Sequence, residues 1–217
     1  MMKLYIIRHG ETDWNTQGRM QGQTDIALNE KGIRLAKVTA EGMKDIAFDL
    51  CITSPLKRAR QTAEIILAGK KIPVLEEKRI QEISFGDWEG VGCRKENYEL
   101  PVPFEEFQKF YKDPFHYEPD NSGESIAALC ERTADFWEEL TENEALADKT
   151  ILIATHGCAM RALLHNVYPD KEDFWHGQVP VNCAVNIVEV ENKKAVLLED
   201  DKIYYDPKEA VNFFKAE

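Results

Sequence analysis

Two histidines in this chain share one local setting: Arg8-His9-Gly10 closes the apolar run Leu4 to Ile7, and Thr155-His156-Gly157 closes Ile151 to Ala154. A neutral imidazole with one ring nitrogen held by a hydrogen bond keeps a lone pair on the other and can attack phosphorus. Gly10 lets the backbone turn closely beneath His9. Arg8 and Arg58 add planar guanidinium forks, which grip a phosphate bidentately. Phosphoryl transfer needs positive charge and donors around the equatorial oxygens, and Arg8, Arg58, His156 and nearby amides are of that type. The leaving alkoxide also needs a proton. Glu82, in "RIQEISFGDWEG", lies in an apolar-rich stretch where partial burial suits a general acid. Glu11 and Glu89 are rivals, and spacing alone does not choose among the three.

These groups need elements to hold them. "KLYIIR", "FDLCITS", "IPVLEE" and "KTILIATHG" read as strands. Asn29 to Met43 carries Ile33, Ala36, Ala40 and Met43 at helical spacing, and Ser54-Pro55 is expected to cap a helix running to about Leu67, its exposed start carrying Lys57, Arg58 and Arg60. From Ser125 a longer helix follows, with Ile126, Leu129, Thr133, Phe136, Trp137 and Leu140 on one stripe. "MRALLHNV" continues as a helix, and "CAVNIVEV" with "KAVLLEDD" reads as a hairpin around Glu191-Asn192-Lys193. Arg79 to Ser122 reads as loops with a short helix near Phe104 to Tyr111. The expectation is an α/β fold, a three-layer α/β/α sandwich on a mostly parallel mixed sheet, whose ligand crevice lies beyond the carboxyl ends of its strands. Arg8-His9, Ser54 with Arg58, and His156 then share one sheet edge.

At 217 residues and 43% hydrophobic, the chain is expected to form a single domain over 1–217. A formal net charge of -12 disfavours nucleic acid and anionic membrane. No run approaches the roughly twenty apolar residues of a membrane span, and none resembles a signal segment. Five cysteines without a Cys-x-x-Cys pair argue against a disulfide framework or structural zinc, so a reducing cytoplasm is expected.

"RHGETDWN", "GRMQGQTDIALNEKG", "ITSPLKRARQTAE", "EISFGDWEG" and "ATHGCAMRALL", in this order, resemble the histidine phosphatase superfamily in its phosphoglycerate-mutase-like branch. The resemblance runs from Leu4 to about Leu164. It implies that His9 is the nucleophile, that Arg8, Arg58 and His156 form the phosphate pocket with Gly157 beside them, and that Glu82 is the proton donor. Asn15, Gln21, Gly22 and Thr24 match the substrate side. It also implies a phosphoglycerate-mutase-like fold, no metal or other cofactor, and hydrolysis of phosphomonoesters or phosphate transfer between hydroxyls, with a small phosphorylated metabolite as partner.

Mutases of this family carry a longer insertion after the acid-bearing motif. The compact, acidic stretch "VGCRKENYELPVPFEEFQKFYKDPFHYEPDNSGES" favours a phosphatase, with a phosphoglycerate mutase as runner-up. Arg94 and Lys95 remain for a second anionic group. A noncatalytic phosphate-ligand sensor is a distant third, because it would not need both histidines and Glu82. No Cys-x5-Arg loop, Walker-type loop or His-Glu-x-x-His is present. His116, His165 and His176 read as packing or surface residues, as do the aromatics from Phe104 to Tyr117, and Cys158 reads as packing rather than a redox thiol. Monomer and homodimer stay open, and "DPKEAVNFFKAE" can either dock on the core or meet another subunit.

Overall fold

A computed structural model describes residues 1–119 and 122–211. Of the C-terminal stretch just named, residues 212–217 lie outside the described residues. Strands β1 (Met2–Arg8), β2 (Leu50–Thr53), β3 (Val74–Glu76), β4 (Thr150–Thr155), β5 (Val185–Glu191) and β6 (Lys194–Lys202) form one sheet in the order β3-β2-β4-β1-β5-β6. The first four in that order run parallel. β5 is antiparallel to β1 and β6 to β5, so the sheet is mixed as expected. Asn192 and Lys193 both take positive φ, 50° and 63°, the hand that a two-residue hairpin turn requires.

The helices are α1 (Asp13–Gln17), α2 (Glu30–Gly42), α3 (Lys57–Ile66), α4 (Phe104–Phe107), α5 (Lys109–Lys112), α6 (Ile126–Glu142) and α7 (Gly157–Leu164). Alternation along β1 sorts them into two layers. Leu4 and Ile6 pack with Ile151, Ile153, Phe136 of α6 and Leu163 of α7. Tyr5 and Ile7 pack with Leu152, Ala154, Met43 and Ala63 of α3 on the other face. Each large apolar side chain withdrawn in this way contributes about 1.5–3 kcal/mol. A third cluster, including Ile83, Trp88, Phe107, Phe110 and Trp175, lies under the irregular middle segment.

α6 buries the six stripe residues read from its spacing, and the Ser125 hydroxyl caps it by accepting from Ala128 N at 3.1 Å. Two local expectations need correction. In α2 the buried face is Gly32, Leu35, Ala36 and Thr39; Ala36 and Met43 are buried as the spacing indicates, but Ile33 is 36% exposed, because Leu35 and Ala36 turn toward Cys183 and Tyr205. In α3 the N-cap position falls on Leu56, whose side chain has no acceptor; the Ser54 hydroxyl accepts from Leu56 N at 3.3 Å just outside the helix, and Asp25 Oδ1 accepts from Lys57 N at 2.7 Å. The start of α3 is exposed at Lys57, whereas Arg58 is fully buried.

Strand register does the positioning. Arg8 of β1 pairs with Thr155 of β4, and Thr53 of β2 pairs with Ala154. His9, Ser54 and His156 therefore leave the sheet at one edge, tied by His9 N donating to Thr155 O and Ser54 N donating to Ala154 O, both at 2.9 Å.

Candidate active site

His9 is 1% exposed, and its Nδ1 lies 2.7 Å from the carbonyl of Gly10. A carbonyl only accepts, so Nδ1 carries the proton and Nε2 keeps its lone pair. Burial, then Arg58 and Arg8, hold His9 well below the usual imidazole range, so it is neutral at physiological pH. Gly10 has to be glycine: a Cβ there would stand 2.7 Å from the carbonyl oxygen of Gly32, where α2 passes. Its N–H donates to Thr62 Oγ1 at 3.0 Å.

Arg58 is 0% exposed and makes no ion pair among the described residues. It donates to Gly22 O at 2.6 Å, Thr24 O at 2.9 Å and His156 Nδ1 at 3.2 Å. Burial pushes its pKa down to about 10, so it is still a cation at neutral pH. Of its five N–H groups, one remains on each terminal nitrogen. A buried cation without a carboxylate costs several kcal/mol, and an arriving anion removes that cost.

His156 is also fully buried, with its ring centroid 5.2 Å from that of His9. Arg58 Nε donates to its Nδ1, so the proton sits on Nε2 and is given to Ser54 Oγ at 2.7 Å. Burial, Arg58, His9 and Arg8 hold it neutral. Arg8 is 5% exposed, donates to the carbonyl of Pro180, and has its pKa lowered by burial against an opposing pull from Glu82.

Glu82 is 6% exposed and sits on the first amides of α7: Ala159 N donates to Oε1 at 3.0 Å and Cys158 N to Oε2 at 3.3 Å. Its loop is braced from α6, where Arg132 donates to the carbonyls of Arg79, Gln81 and Glu82. A cavity of about 520 Å³ opens above Arg8, His9, Glu82 and Gly157. Arg58 and His156 lie behind its floor rather than on its lining.

Among the three rival carboxylates, Glu82 alone lines this cavity. Glu89 instead accepts from Gln23 N at 2.9 Å, Thr24 N at 2.7 Å and the Thr24 hydroxyl, and so shapes the loop whose carbonyls hold Arg58. Glu11 pairs with Lys31 at 3.0 Å. Asn15 and Gln21 line the cavity, whereas Gly22 and Thr24 meet Arg58 through their backbone. The outer wall is aromatic, with Phe85, Phe110, Tyr111 and Trp175, and Arg94 and Lys95 stand along it.

Cys93 and Cys158 line the cavity, yet burial pushes the first thiol up to about 11 and the second well above its usual range, which suits packing. His116, His165 and His176 stand outside the lining. Among the described residues, no three His, Cys, Asp or Glu side chains cluster as a metal ion would need, and no helix is long and apolar enough to cross a membrane. Sequence reading missed Thr62, Pro180 and Asn182. The Asn182 side chain donates to His9 O at 3.1 Å and Asn15 Oδ1 at 3.3 Å. The polar Asn182 between the apolar Val181 and the last hairpin was its one local sign.

Residues 4–200 match the sequence profile of the histidine phosphatase superfamily (branch 1). The chain belongs to that superfamily. It is 37% identical over 194 residues, 89% of this chain and 91% of the relative, to the Bacillus subtilis (strain 168) protein named uncharacterized phosphatase PhoE. It is 32% identical over 200 residues, 92% of each chain, to phosphoserine phosphatase 1 of Hydrogenobacter thermophilus. Among solved structures, Bacillus stearothermophilus YhfR superimposes with a TM-score of 0.84 at 29% identity, covering 94% of this chain and 98% of that one. The α/β fold is thus that of the histidine phosphatases; the two relatives just given carry phosphatase names, and another, 31% identical over 176 residues, is a 2,3-bisphosphoglycerate-dependent phosphoglycerate mutase of Cytophaga hutchinsonii.

Proposed function

We propose that this protein hydrolyses phosphomonoesters of small metabolites through a phosphohistidine on His9 Nε2. The observation that carries the reading is the pairing of a neutral, Nδ1-held His9 with Arg58, a buried cation that has no ion-pair partner among the described residues. In the first step the Nε2–P bond forms and the P–O bond to the alcohol breaks, with the alkoxide taking the proton of Glu82. In the second, water attacks phosphorus, gives its proton to the Glu82 carboxylate, and releases His9 and inorganic phosphate. Arg8, Arg58 and the N–H of Gly157, which lines the cavity, are the preorganised donors for the equatorial oxygens. His156 holds Arg58 in line, and its Nε2–H can exchange Ser54 for a phosphate oxygen.

On the alcohol side, Asn15 and Gln21 are the polar contacts, and Arg94 with Lys95 suits a second anionic group on a short alcohol. Phosphoserine, the substrate named for one relative, is the first compound to test.

The test is inorganic phosphate release from phosphoserine, phosphoglycerates, sugar phosphates and nitrophenyl phosphate, with EDTA present. Release should survive EDTA and fall by about 10³-fold or more in His9→Ala. Retained turnover in that variant would overturn the nucleophile, and interconversion of phosphoglycerates without release would point to the mutase. Glu82→Gln should slow alkyl phosphates far more than nitrophenyl phosphate, whose leaving group needs no proton; equal slowing would count against the acid.

A further inference from the structure

Arg161 lies on α7 five residues beyond His156 and is 1% exposed, yet the chemistry above makes no use of it. Its guanidinium meets Gln178, Tyr168 and Asp201, and its Nη1 also lies 3.5 Å from Asp200 Oδ1. Nε and Nη2 both donate to Gln178 O, at 3.2 and 2.9 Å, Nη1 donates to Tyr168 Oη at 2.9 Å, and Nη2 also pairs with Asp201 Oδ2. Asp201 is built to meet it. The aspartate takes φ +46°, a strained region for a residue with a side chain, next to a shift in the β5–β6 register. Asn186 locks it there, donating to Asp201 Oδ1 at 3.1 Å while its own Oδ1 accepts from Asp201 N at 3.0 Å.

The carbonyl that Arg161 grips opens the segment that holds the phosphate end of the cavity. Two residues on, Pro180 O accepts from Arg8. Four residues on, Asn182 donates to the carbonyl of His9 and to Asn15. Cys183 N then donates to Arg8 O at 3.1 Å. Val179, between these anchors, lines the cavity. We propose that Arg161, paired with Asp201, is a positioning residue: it sets the path of residues 178–182 and through Pro180 and Asn182 the aim of Arg8 and His9. This rests on the function proposed above. A displacement of about 1 Å at a reacting group can cost about 10²-fold in rate, so loss of the anchor should be read in turnover before it is read in folding.

Arg161→Lys, Arg161→Met and Asp201→Asn separate positioning from mere bracing. A lysine can reach Asp201 or the Gln178 carbonyl but cannot fork to both. The measurements are kcat and KM for phosphate release, the inhibition constant of inorganic phosphate, and the melting temperature. Arg161→Lys should lower kcat about tenfold and Arg161→Met about a hundredfold, each weakening inhibition by phosphate. Asp201→Asn should move the same quantities less. If Arg161→Met does not fold, the lysine and Asp201→Asn variants carry the test. Folded variants with the parent's kcat and phosphate inhibition, even with lower melting temperatures, would make Arg161 a brace and overturn the proposal. If the parent releases no phosphate, the proposed function fails, and calorimetric binding of inorganic phosphate to parent and variants still reads the aim of Arg8. A parent that neither releases nor binds phosphate would overturn both.

Discussion

The two ends of the cavity are built by different means. At the phosphate end, His9, Ser54 and His156 each follow directly on a strand, and His9 and Ser54 are bonded in register to β4, which leads into His156. At the alcohol end, much of the wall comes from residues 85–111, where two four-residue helices and short 3-10 turns pack through aromatic edges, such as Phe85 on Phe110 at 5.5 Å between centroids. A ladder of backbone hydrogen bonds holds a reacting group to a narrow geometry, whereas side-chain packing on loops accepts replacement of one ring by another. Under the proposed function, the sheet edge sets the reaction and the packing beside it sets the choice of alcohol.

The division between the two ends is tested most sharply at Arg58. Arg58→Met should lower kcat/KM by about 10²–10³-fold for every phosphomonoester, whatever its alcohol; a loss confined to some alcohols would show that the two ends are not separate. Phe85→Ala tests the other end. It should change the ranking among substrates by about tenfold while inhibition by inorganic phosphate stays constant, and weakened phosphate inhibition would again join the two regions.

The smallest effect is in stability against pH. His9 and His156 are held neutral, below the imidazole value of the unfolded chain, so the unfolded state binds more protons as pH falls. Their contribution is present in full above about pH 6.5 and is lost below it, at about 0.7 kcal/mol per histidine between pH 7 and pH 6. Denaturant titrations at the two pH values should show a shallower dependence in His9→Ala, and an unchanged one would mean that His9 is not held neutral. His116 in the middle segment is the contrast: the Asp113 carboxylate 2.7 Å away raises its pKa, and it stays exposed.

Much of the scaffold was legible because it rests on local periodicity. The stripe of α6 and the apolar runs of β1 and β4 follow from spacing and burial alone. In α2 the same means place Ala36 and Met43 correctly, whereas Ile33 fits the period but lies 36% exposed at the edge of the buried face. Ser54 shows a different limit. A serine three residues before a helix looks like a cap, and its hydroxyl does accept from Leu56 N at 3.3 Å, but only the arrival of His156, 102 residues away, gives that hydroxyl its second partner.

By itself the sequence determined the chemical types and their places: a histidine one step past each of two buried strands, an arginine in the first turn of α3, and a carboxylate in an apolar stretch. Those are local facts, written in runs of neighbouring residues. Which partner each group meets is fixed by packing between distant segments. Arg8 ends on the carbonyl of Pro180, 172 residues along the chain, Glu82 settles on the amides of α7 rather than Glu11 or Glu89, and Glu89 turns to the loop beneath Arg58. Contacts between distant segments leave no period in either one, because they depend on sheet order and register, which arise only when the whole core closes.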